Sequence, residues 1–130
     1  MIKYLTLEQV LKMHDAFIEK FGGLQGIRDM NLLLSVIETP KMVIFGEDLY
    51  PTIYDKAAAY LYHIVQNHPF NDGNKRTGFG VVHLFLRANK IDILFSDESF
   101  ENLVVEVSKG KKTKEEISHL LSINNIIKQS

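Results

Sequence analysis

One apolar run constrains the fold of this chain more than any other feature. Residues 77–86 are apolar on nearly every side, so a helix formed by them has no face that can stay in water. Other helices must therefore surround it. The chain has 130 residues with 45% hydrophobic content, which is enough for one core and leaves little room for a second domain. We expect a single domain spanning residues 1–130.

Two capping boxes predict helix starts near the two ends of the chain. In the pairs Thr6/Gln9 and Thr113/Glu116, each side chain can satisfy a free backbone N–H group of the first helical turn. Apolar residues then recur at helical spacing, and the glycines at 22 and 23 predict the end of the first helix. The final helix is expected to carry its apolar stripe as far as Ile126.

Three further helices complete the pattern. Asp29 can cap the second helix, which Pro40 cannot continue, and the third should run from Tyr54 to about Asn67. The fourth is the apolar run, and Asp97 is expected to cap the fifth. Residues 42–51 predict a short flap or hairpin that turns at 46–48, and residues 91–95 an extended segment. The fold class is therefore all-α, with six helices and a flap before the third.

Charge and composition exclude several classes of protein. The 15 Lys and Arg nearly balance the 16 Asp and Glu, so no broad field favours nucleic acid or an anionic membrane. Because the chain has no cysteine, disulfides, thiolate chemistry and cysteine-based zinc sites are excluded. No run approaches the roughly 18 apolar residues of a membrane span, and no leader pattern begins the chain. We expect a cytoplasmic protein with no direct nucleic-acid or membrane partner.

The polar loop (residues 68–76), between the third and fourth helices, concentrates side chains suited to phosphate chemistry. Gly73 lets the backbone turn tightly at the start of the fourth helix, where unpaired N–H groups and the helix dipole form an anion site. We therefore expect a phosphate there. The polar side chains of the loop are His68, Asp72, Asn74, Lys75 and Arg76.

Each side chain in the loop suggests a role. Asp72 offers a hard oxygen ligand for Mg²⁺, and Lys75 and Arg76 can neutralise charge that develops during transfer. A histidine ordinarily titrates at about pH 6.5, so His68 can act as a general base that activates a hydroxyl. Phe70 has no polar atom, and we assign it to the core as the anchor of the loop.

Structural alternatives exist for the same residues. His68 could simply cap the end of the third helix, and Asp72 could be a helix cap as well as, or instead of, a metal ligand. Lys75 and Arg76 could form a solvated first turn. Two cations there oppose the helix dipole, however, unless an anion offsets them, which favours a bound ligand.

His14 and His119 lie on the first and last predicted helices, outside the loop. Neither His14 nor His119 has a second histidine at the spacing of metal ligands. We therefore expect both to take surface or boundary positions without a part in the chemistry.

The residues 68–77, His-Pro-Phe-Asn-Asp-Gly-Asn-Lys-Arg-Thr, resemble the signature of the Fic/Doc family, specifically its Doc (death on curing) branch. The segment Gly-Ile-Arg-Asp at 26–29, the end of the fourth helix at 84–89 and the chain length are also similar to that branch. The resemblance therefore covers nearly the whole chain and implies a compact six-helix Fic/Doc-like domain.

Two positions depart from the wider Fic pattern, His-x-Phe-x-Asp/Glu-Gly-Asn-Gly-Arg-x-x-Arg, which serves AMP transfer. Lys75 replaces a glycine and fills space that a phosphate would use, and Phe79 replaces the last arginine and cannot pair with phosphate oxygens. The Doc branch shares the lysine. This resemblance implies a nucleotide bound in the reversed orientation, which offers its γ-phosphate for transfer.

The resemblance also implies roles and partners. ATP and Mg²⁺ would be used to phosphorylate a Ser or Thr hydroxyl of the elongation factor Tu class, which halts translation, and the flap would dock this target. A small antitoxin would be encoded with the toxin. AMP transfer to a protein hydroxyl and a non-catalytic module that binds an anion or a protein stay open as alternatives. The implied site residues are His68 as base, Asp72 as metal ligand, Gly73, Asn74, Lys75 and Arg76 at the phosphates, and Phe70 as anchor.

Overall fold

The computed structural model describes residues 1–127. Helices dominate this part of the chain, and its strands form only two small two-stranded sheets. The prediction of a mostly helical, compact fold is therefore confirmed. The six helices of the described residues are α1 (Leu7–Phe21), α2 (Met30–Glu38), α3 (Ile53–Asn67), α4 (Asn74–Ala88), α5 (Asp97–Ser108) and α6 (Lys114–Ile123), and a 3-10 turn, Thr39–Lys41, follows α2.

Local capping patterns set the helix starts where the sequence predicted them. The Thr6 hydroxyl accepts the Gln9 N–H at 3.1 Å, and the Gln9 side chain accepts the Thr6 N–H at 2.8 Å. The reciprocal pair of Thr113 and Glu116 opens α6 in the same way. Asp29 caps α2 as predicted. These caps fix where each helix begins, because they satisfy N–H groups that have no partner within the helix.

Helix α4 lies at the centre of the fold, as its apolar sequence predicts. It packs against α1, α3 and α5. Two glycines allow the close approach of its neighbours. A Cβ atom on Gly78 would lie 2.9 Å from a methyl of Val65 in α3, and one on Gly80 would lie 2.5 Å from the Met13 sulfur in α1. The helix that follows the polar loop is therefore clamped between α1 and α3.

The flap is a hairpin, but its turn differs from the predicted one. Strands β1 (Val43–Ile44) and β2 (Glu47–Asp48) are antiparallel, and Phe45 and Gly46 form the turn. Both turn residues have positive φ, 51° and 79°, as a tight two-residue hairpin turn requires. The prediction that the turn includes positions 47 and 48 is wrong, because both are paired in β2.

Two predicted boundaries near the C-terminus are also wrong. The cap of α5 is Ser96, whose hydroxyl accepts the Ser99 N–H at 3.1 Å, and Asp97 is the first helical residue. Helix α6 ends at Ile123, so Ile126 does not belong to its apolar stripe. Ile126 instead lies in a strand.

This strand forms the second small sheet. Strand β4 (Asn125–Ile127) pairs antiparallel with β3 (Ile91–Ile93), and Ile126 faces Asp92. The predicted extended segment at 91–95 is thus confirmed for its first three residues.

No helix within residues 1–127 is both long and apolar enough to cross a lipid bilayer.

Candidate active site

His68 ends α3 in a left-handed backbone conformation. Its φ and ψ are 50° and 61°, and its N–H still donates to the Ile64 carbonyl at 3.2 Å. The interpretation of His68 as the C-cap of α3 is confirmed. A non-glycine residue pays about 1–2 kcal/mol for this conformation, so tertiary contacts must hold it. The side chain is exposed and therefore accessible to a ligand.

Phe70 and Asn74 close the polar loop into a compact turn. The Phe70 N–H donates to the Asn74 side-chain oxygen, and the Asn74 amide group donates back to the Phe70 carbonyl, both at 3.0 Å. Phe70 is only 1% exposed. Because the Asn74 amide bonds both backbone groups of Phe70, the side chain is held within the loop, and the backbone N–H of Asn74 at the start of α4 is free of a side-chain cap.

His14 supports this turn from α1, a role that the sequence prediction missed. Its ring stacks on Phe70 with centroids 3.8 Å apart, and its Nε2 lies 2.8 Å from the Asp72 carbonyl. A carbonyl oxygen can only accept, so Nε2 carries the proton. Its Nδ1 lies 3.3 Å from the Asp15 carboxylate. His14 is 1% exposed, so the expected surface or boundary position is wrong.

The brace (residues 22–29), which connects α1 to α2, runs along the polar loop as an irregular partner. The Asn71 N–H donates to the Gly26 carbonyl at 3.1 Å, and the Arg28 N–H donates to the Pro69 carbonyl at 2.8 Å. Gly26 has a φ of 106°, and a Cβ atom there would lie 2.9 Å from the Asn71 amide. Glycine is therefore required at position 26, because the φ is positive and because a Cβ atom would collide with the Asn71 side chain.

Asp72 is tied to the brace through its carboxylate. One oxygen accepts the Leu24 N–H at 3.1 Å and the other accepts the Gly73 N–H at 2.9 Å. These N–H groups, that of Leu24 first, lower the pKa of the Asp72 carboxyl and keep it ionised. The N-cap of α4 is Gly73, without a side-chain cap. The interpretation of Asp72 as a cap of α4 is therefore wrong.

The uncapped start of α4 presents backbone N–H groups together with two cations. The first N–H groups of a helix have no partner within it, and no side chain caps those of α4. The first turn holds no acidic residue but carries Lys75 and Arg76. The Arg76 guanidinium stacks over the Phe21 ring at 4.0 Å, which orients it beside the loop. This end of α4 is suited to an anion.

One cleft gathers most of the predicted site residues. It encloses about 330 Å³ and joins the imidazole at the end of α3, the carboxylate of the loop and the start of α4. Phe70 lies in the core beneath it, as the sequence predicts. The residues that line the cleft are His68, Asn71, Asp72, Gly73, Asn74, Lys75 and Arg76.

Comparison with known proteins agrees with this arrangement. The model of the Fic/DOC family matches residues 4–86, which extend from the start of the chain through the cleft into α4. The chain belongs to the Fic/DOC family. It is 36% identical over 110 residues to the Toxin Doc of Mycolicibacterium smegmatis (83% of this chain, 82% of the relative). It is 30% identical over 110 residues to the Protein kinase doc of Escherichia phage P1 (85% and 86%).

Phe79, where the wider Fic pattern has arginine, is committed to apolar packing. Its ring meets Phe100 edge to face at 5.0 Å and lies 4.4 Å from the His83 ring. It also contributes to a cleft of about 410 Å³, lined by both apolar and charged side chains, that shares Lys75 and Arg76 with the first. This member of the Fic/DOC family therefore has an aromatic wall beside its loop where a cation is expected for AMP transfer.

The donor set of the cleft fits a magnesium ion carried by a nucleotide. Among residues 1–127 no three histidine or acidic side chains come together as ligands of one metal. Mg²⁺ that bridges phosphates needs only one or two protein carboxylates, because phosphate oxygens and water complete its shell. Asp72 is exposed, ionised and at the edge of the cleft, so it matches that requirement.

Proposed function

We propose that this chain is a Doc-type toxin that transfers the γ-phosphate of ATP to a Ser or Thr hydroxyl of a translation factor of the elongation factor Tu class. The observation that carries the proposal is one cleft lined by His68, Asp72 and the uncapped start of α4. The similarity to proteins named Toxin Doc and Protein kinase doc supports the toxin and the kinase parts of the proposal. Inhibition of translation would be the toxic effect.

In the proposed reaction, His68 takes the proton of the attacking hydroxyl. The hydroxyl oxygen forms a bond to the γ-phosphorus as the bond from that phosphorus to the bridging oxygen breaks, and ADP leaves. The backbone N–H groups at the start of α4 hold phosphate oxygens, and Lys75 and Arg76 offset the charge that spreads over them. The loop supplies these donors in a fixed position because the Phe70–Asn74 turn closes it.

Asp72 is the proposed ligand of Mg²⁺. The N–H groups of Leu24 and Gly73 keep its carboxylate ionised and leave lone pairs on both oxygens. The ion, when bound with ATP, would neutralise phosphate charge. Asp72 itself contributes a fixed negative charge at the mouth of the cleft.

The choice of phosphate rather than AMP as the transferred group rests on two residues. Lys75 occupies a position that the AMP-transferring pattern keeps as glycine, and Phe79 packs on Phe100 instead of offering a cation. Both features disfavour a nucleotide placed with its α-phosphate at the reacting centre. AMP transfer is the second candidate, favoured by the rest of the shared motif.

ATP that carries a label at one chosen phosphate distinguishes transfer of the γ-phosphate from transfer of AMP. The purified protein is incubated with cell extract and Mg²⁺, once with γ-labelled and once with α-labelled ATP. Label on a protein from the γ position alone is the expected result. Label from the α position alone would overturn the kinase proposal in favour of AMP transfer. Mass spectrometry of the labelled band then tests the elongation factor Tu class as target.

The partners are also part of the proposal. We place the protein in the bacterial cytoplasm as one domain of residues 1–130, with a small antitoxin as its partner. A reading frame directly upstream that encodes a small protein is the expected antitoxin. Co-expression of that protein should relieve the growth arrest that the toxin causes, whereas persistent arrest would exclude it as the partner.

A further inference from the structure

The brace contains one side chain with a specific contact that the proposed chemistry does not use. Arg28 reaches the end of α3, where its Nε donates to the His68 carbonyl at 2.6 Å and its Nη2 donates to the Asn67 carbonyl at 2.5 Å. Its own N–H donates to the Pro69 carbonyl at 2.8 Å. One residue therefore contacts three successive carbonyl groups around the candidate base.

The end of α3 needs such a partner. The last carbonyl groups of a helix have no N–H partner within it and carry partial negative charge. Helix α3 has no basic residue in its own last turn. The positive charge at its end is instead the guanidinium of Arg28, which lies 40 residues before His68 in the chain. The planar fork of an arginine matches two neighbouring oxygens better than a lysine can, because it offers donors in a fixed geometry.

The same contacts act on the conformation of His68. Its φ of 50° is a left-handed value that glycine or asparagine adopts more readily than most residues. Arg28 holds the carbonyls of Asn67 and His68, which belong to the two peptide planes on either side of the His68 Cα. Fixing these planes fixes the φ and ψ of His68. Arg28 does not line the cleft, whereas His68, whose carbonyl it bonds, does.

We propose that Arg28 is a positioning residue that holds His68 in its left-handed conformation and so keeps the imidazole in the cleft. This inference rests on the proposed function for its link to catalysis. Loss of the fork lets the end of α3 relax, and the imidazole then spends less time where it can accept the hydroxyl proton. The effect is expected on the chemical step, because the Arg28 guanidinium bonds backbone carbonyls at the end of α3 and not the groups proposed to hold the nucleotide.

Kinetics of Arg28→Ala and Arg28→Lys test the link to catalysis. Because a base displaced by about 1 Å can cost on the order of 100-fold, we expect kcat to fall about 10- to 100-fold in Arg28→Ala. The KM for ATP should stay within about twofold, since ground-state binding is unchanged. Arg28→Lys keeps the charge without the fork and should fall between wild type and Arg28→Ala.

The matched control is Arg87→Ala. Arg87 is an exposed arginine at the far end of α4 whose Nε pairs with Asp92 at 3.5 Å, away from the polar loop. Its removal should leave kcat unchanged. The inference is overturned if Arg28→Ala keeps the wild-type kcat, or if its KM for ATP rises as much as its kcat falls, which would make Arg28 a nucleotide-binding residue.

Histidine-selective ¹⁵N labelling gives a readout that does not depend on activity. The chain has five histidines, and each amide signal can be assigned by substitution. We expect the His68 amide signal to shift in Arg28→Ala, less in Arg28→Lys and not in Arg87→Ala, while the exposed His119 on α6 stays in place. An unmoved His68 signal overturns the inference. If the wild type transfers no phosphate, the proposed function fails and this spectrum alone decides the role of Arg28.

Discussion

The polar loop and the flap are built in opposite ways. In the loop, Phe70 is buried, Asn74 closes the turn, and His14 and the brace hold it from outside. The flap has strands of two residues each, and its residues from 42 to 49 are exposed. Phe45, at its tip, exposes its whole side chain.

Within residues 1–127, the flap is anchored at its base. Lys56 of α3 is 1% exposed, and its ammonium donates to the Tyr50 carbonyl at 2.6 Å and the Pro40 carbonyl at 3.3 Å. It also lies 3.7 Å from the Asp48 carboxylate. This buried cation joins the two ends of the flap, and Lys114 of α6 also donates to the Tyr50 hydroxyl at 2.6 Å, so the contacts of the flap lie at its base, whereas those of the loop run along its length.

The difference between loop and flap corresponds to two different tasks. Chemistry requires groups held within a fraction of an ångström, which the interlocked loop provides. Recognition of a partner tolerates adjustment, and an exposed apolar hairpin can adapt to a second surface. The contrast supports the proposal that the loop performs transfer while the flap docks the protein target.

Removal of the proposed base should give the largest effect. His68→Ala should lower the transfer rate about 10²- to 10⁴-fold in a single-turnover assay, because a general base is lost. Stability should change by no more than about 0.5 kcal/mol, since the side chain is exposed. The exposed His119 gives the matched control, His119→Ala, which should retain full activity. A His68→Ala protein that still arrests growth would favour the binding module without catalysis.

Two phenylalanines compare the stability of the loop and the flap. Phe70→Ala removes the ring that His14 stacks on and should lower the free energy of unfolding by about 3–5 kcal/mol. Phe45→Ala, at the exposed tip of the flap, should change it by no more than about 0.5 kcal/mol. Urea denaturation measures both. Equal losses would contradict the contrast between an interlocked loop and a free hairpin.

Lys56→Met tests the anchor of the flap. The methionine fills the buried space but leaves the Tyr50 and Pro40 carbonyls without their donor, which should cost about 1–3 kcal/mol. Limited proteolysis should then cut within residues 42–51 faster than in the wild type. New cleavage in the polar loop, with the flap still resistant, would show that Lys56 stabilises the loop and does not anchor the flap.

The smallest expected effect concerns acid. The N–H groups of Leu24 and Gly73 lower the pKa of Asp72 from its ordinary 3.8 in the folded protein. A lowered pKa contributes stability that is present above the unfolded value and lost as pH falls through the folded value. Asp72→Asn should therefore lose less stability than wild type as the pH falls below about 4. The measurement is the free energy of unfolding of both proteins as a function of pH. If the two curves run parallel, the bonds to Asp72 do not contribute to stability in solution.

Features encoded within a few neighbouring residues could be predicted from the sequence. The caps at Thr6, Asp29 and Thr113 depend on side chains that bond backbone groups within the same turn. The composition of the polar loop also pointed to the residues that line the cleft. Adjacent cap candidates are harder to separate, and Ser96 caps α5 although Asp97 has the same local preference.

Contacts between distant segments could not be predicted. The pairing of β3 with β4 and the bond from Arg28 to His68 join segments with no shared local pattern. His14 offered one signal, because a polar residue on the apolar stripe of α1, next in the stripe to Val10 and Ile18, must find a hydrogen-bond partner when buried. That partner, the Asp72 carbonyl, lies 58 residues away.

The most direct test of the account is to follow backbone amide signals while ATP with Mg²⁺ is added to ¹⁵N-labelled protein. We expect the amides of Asn74, Lys75 and Arg76 to shift together with that of His68, at one common binding constant. Shifts confined to other parts of the chain, with these four signals unmoved, would contradict the assignment of a triphosphate to the start of α4.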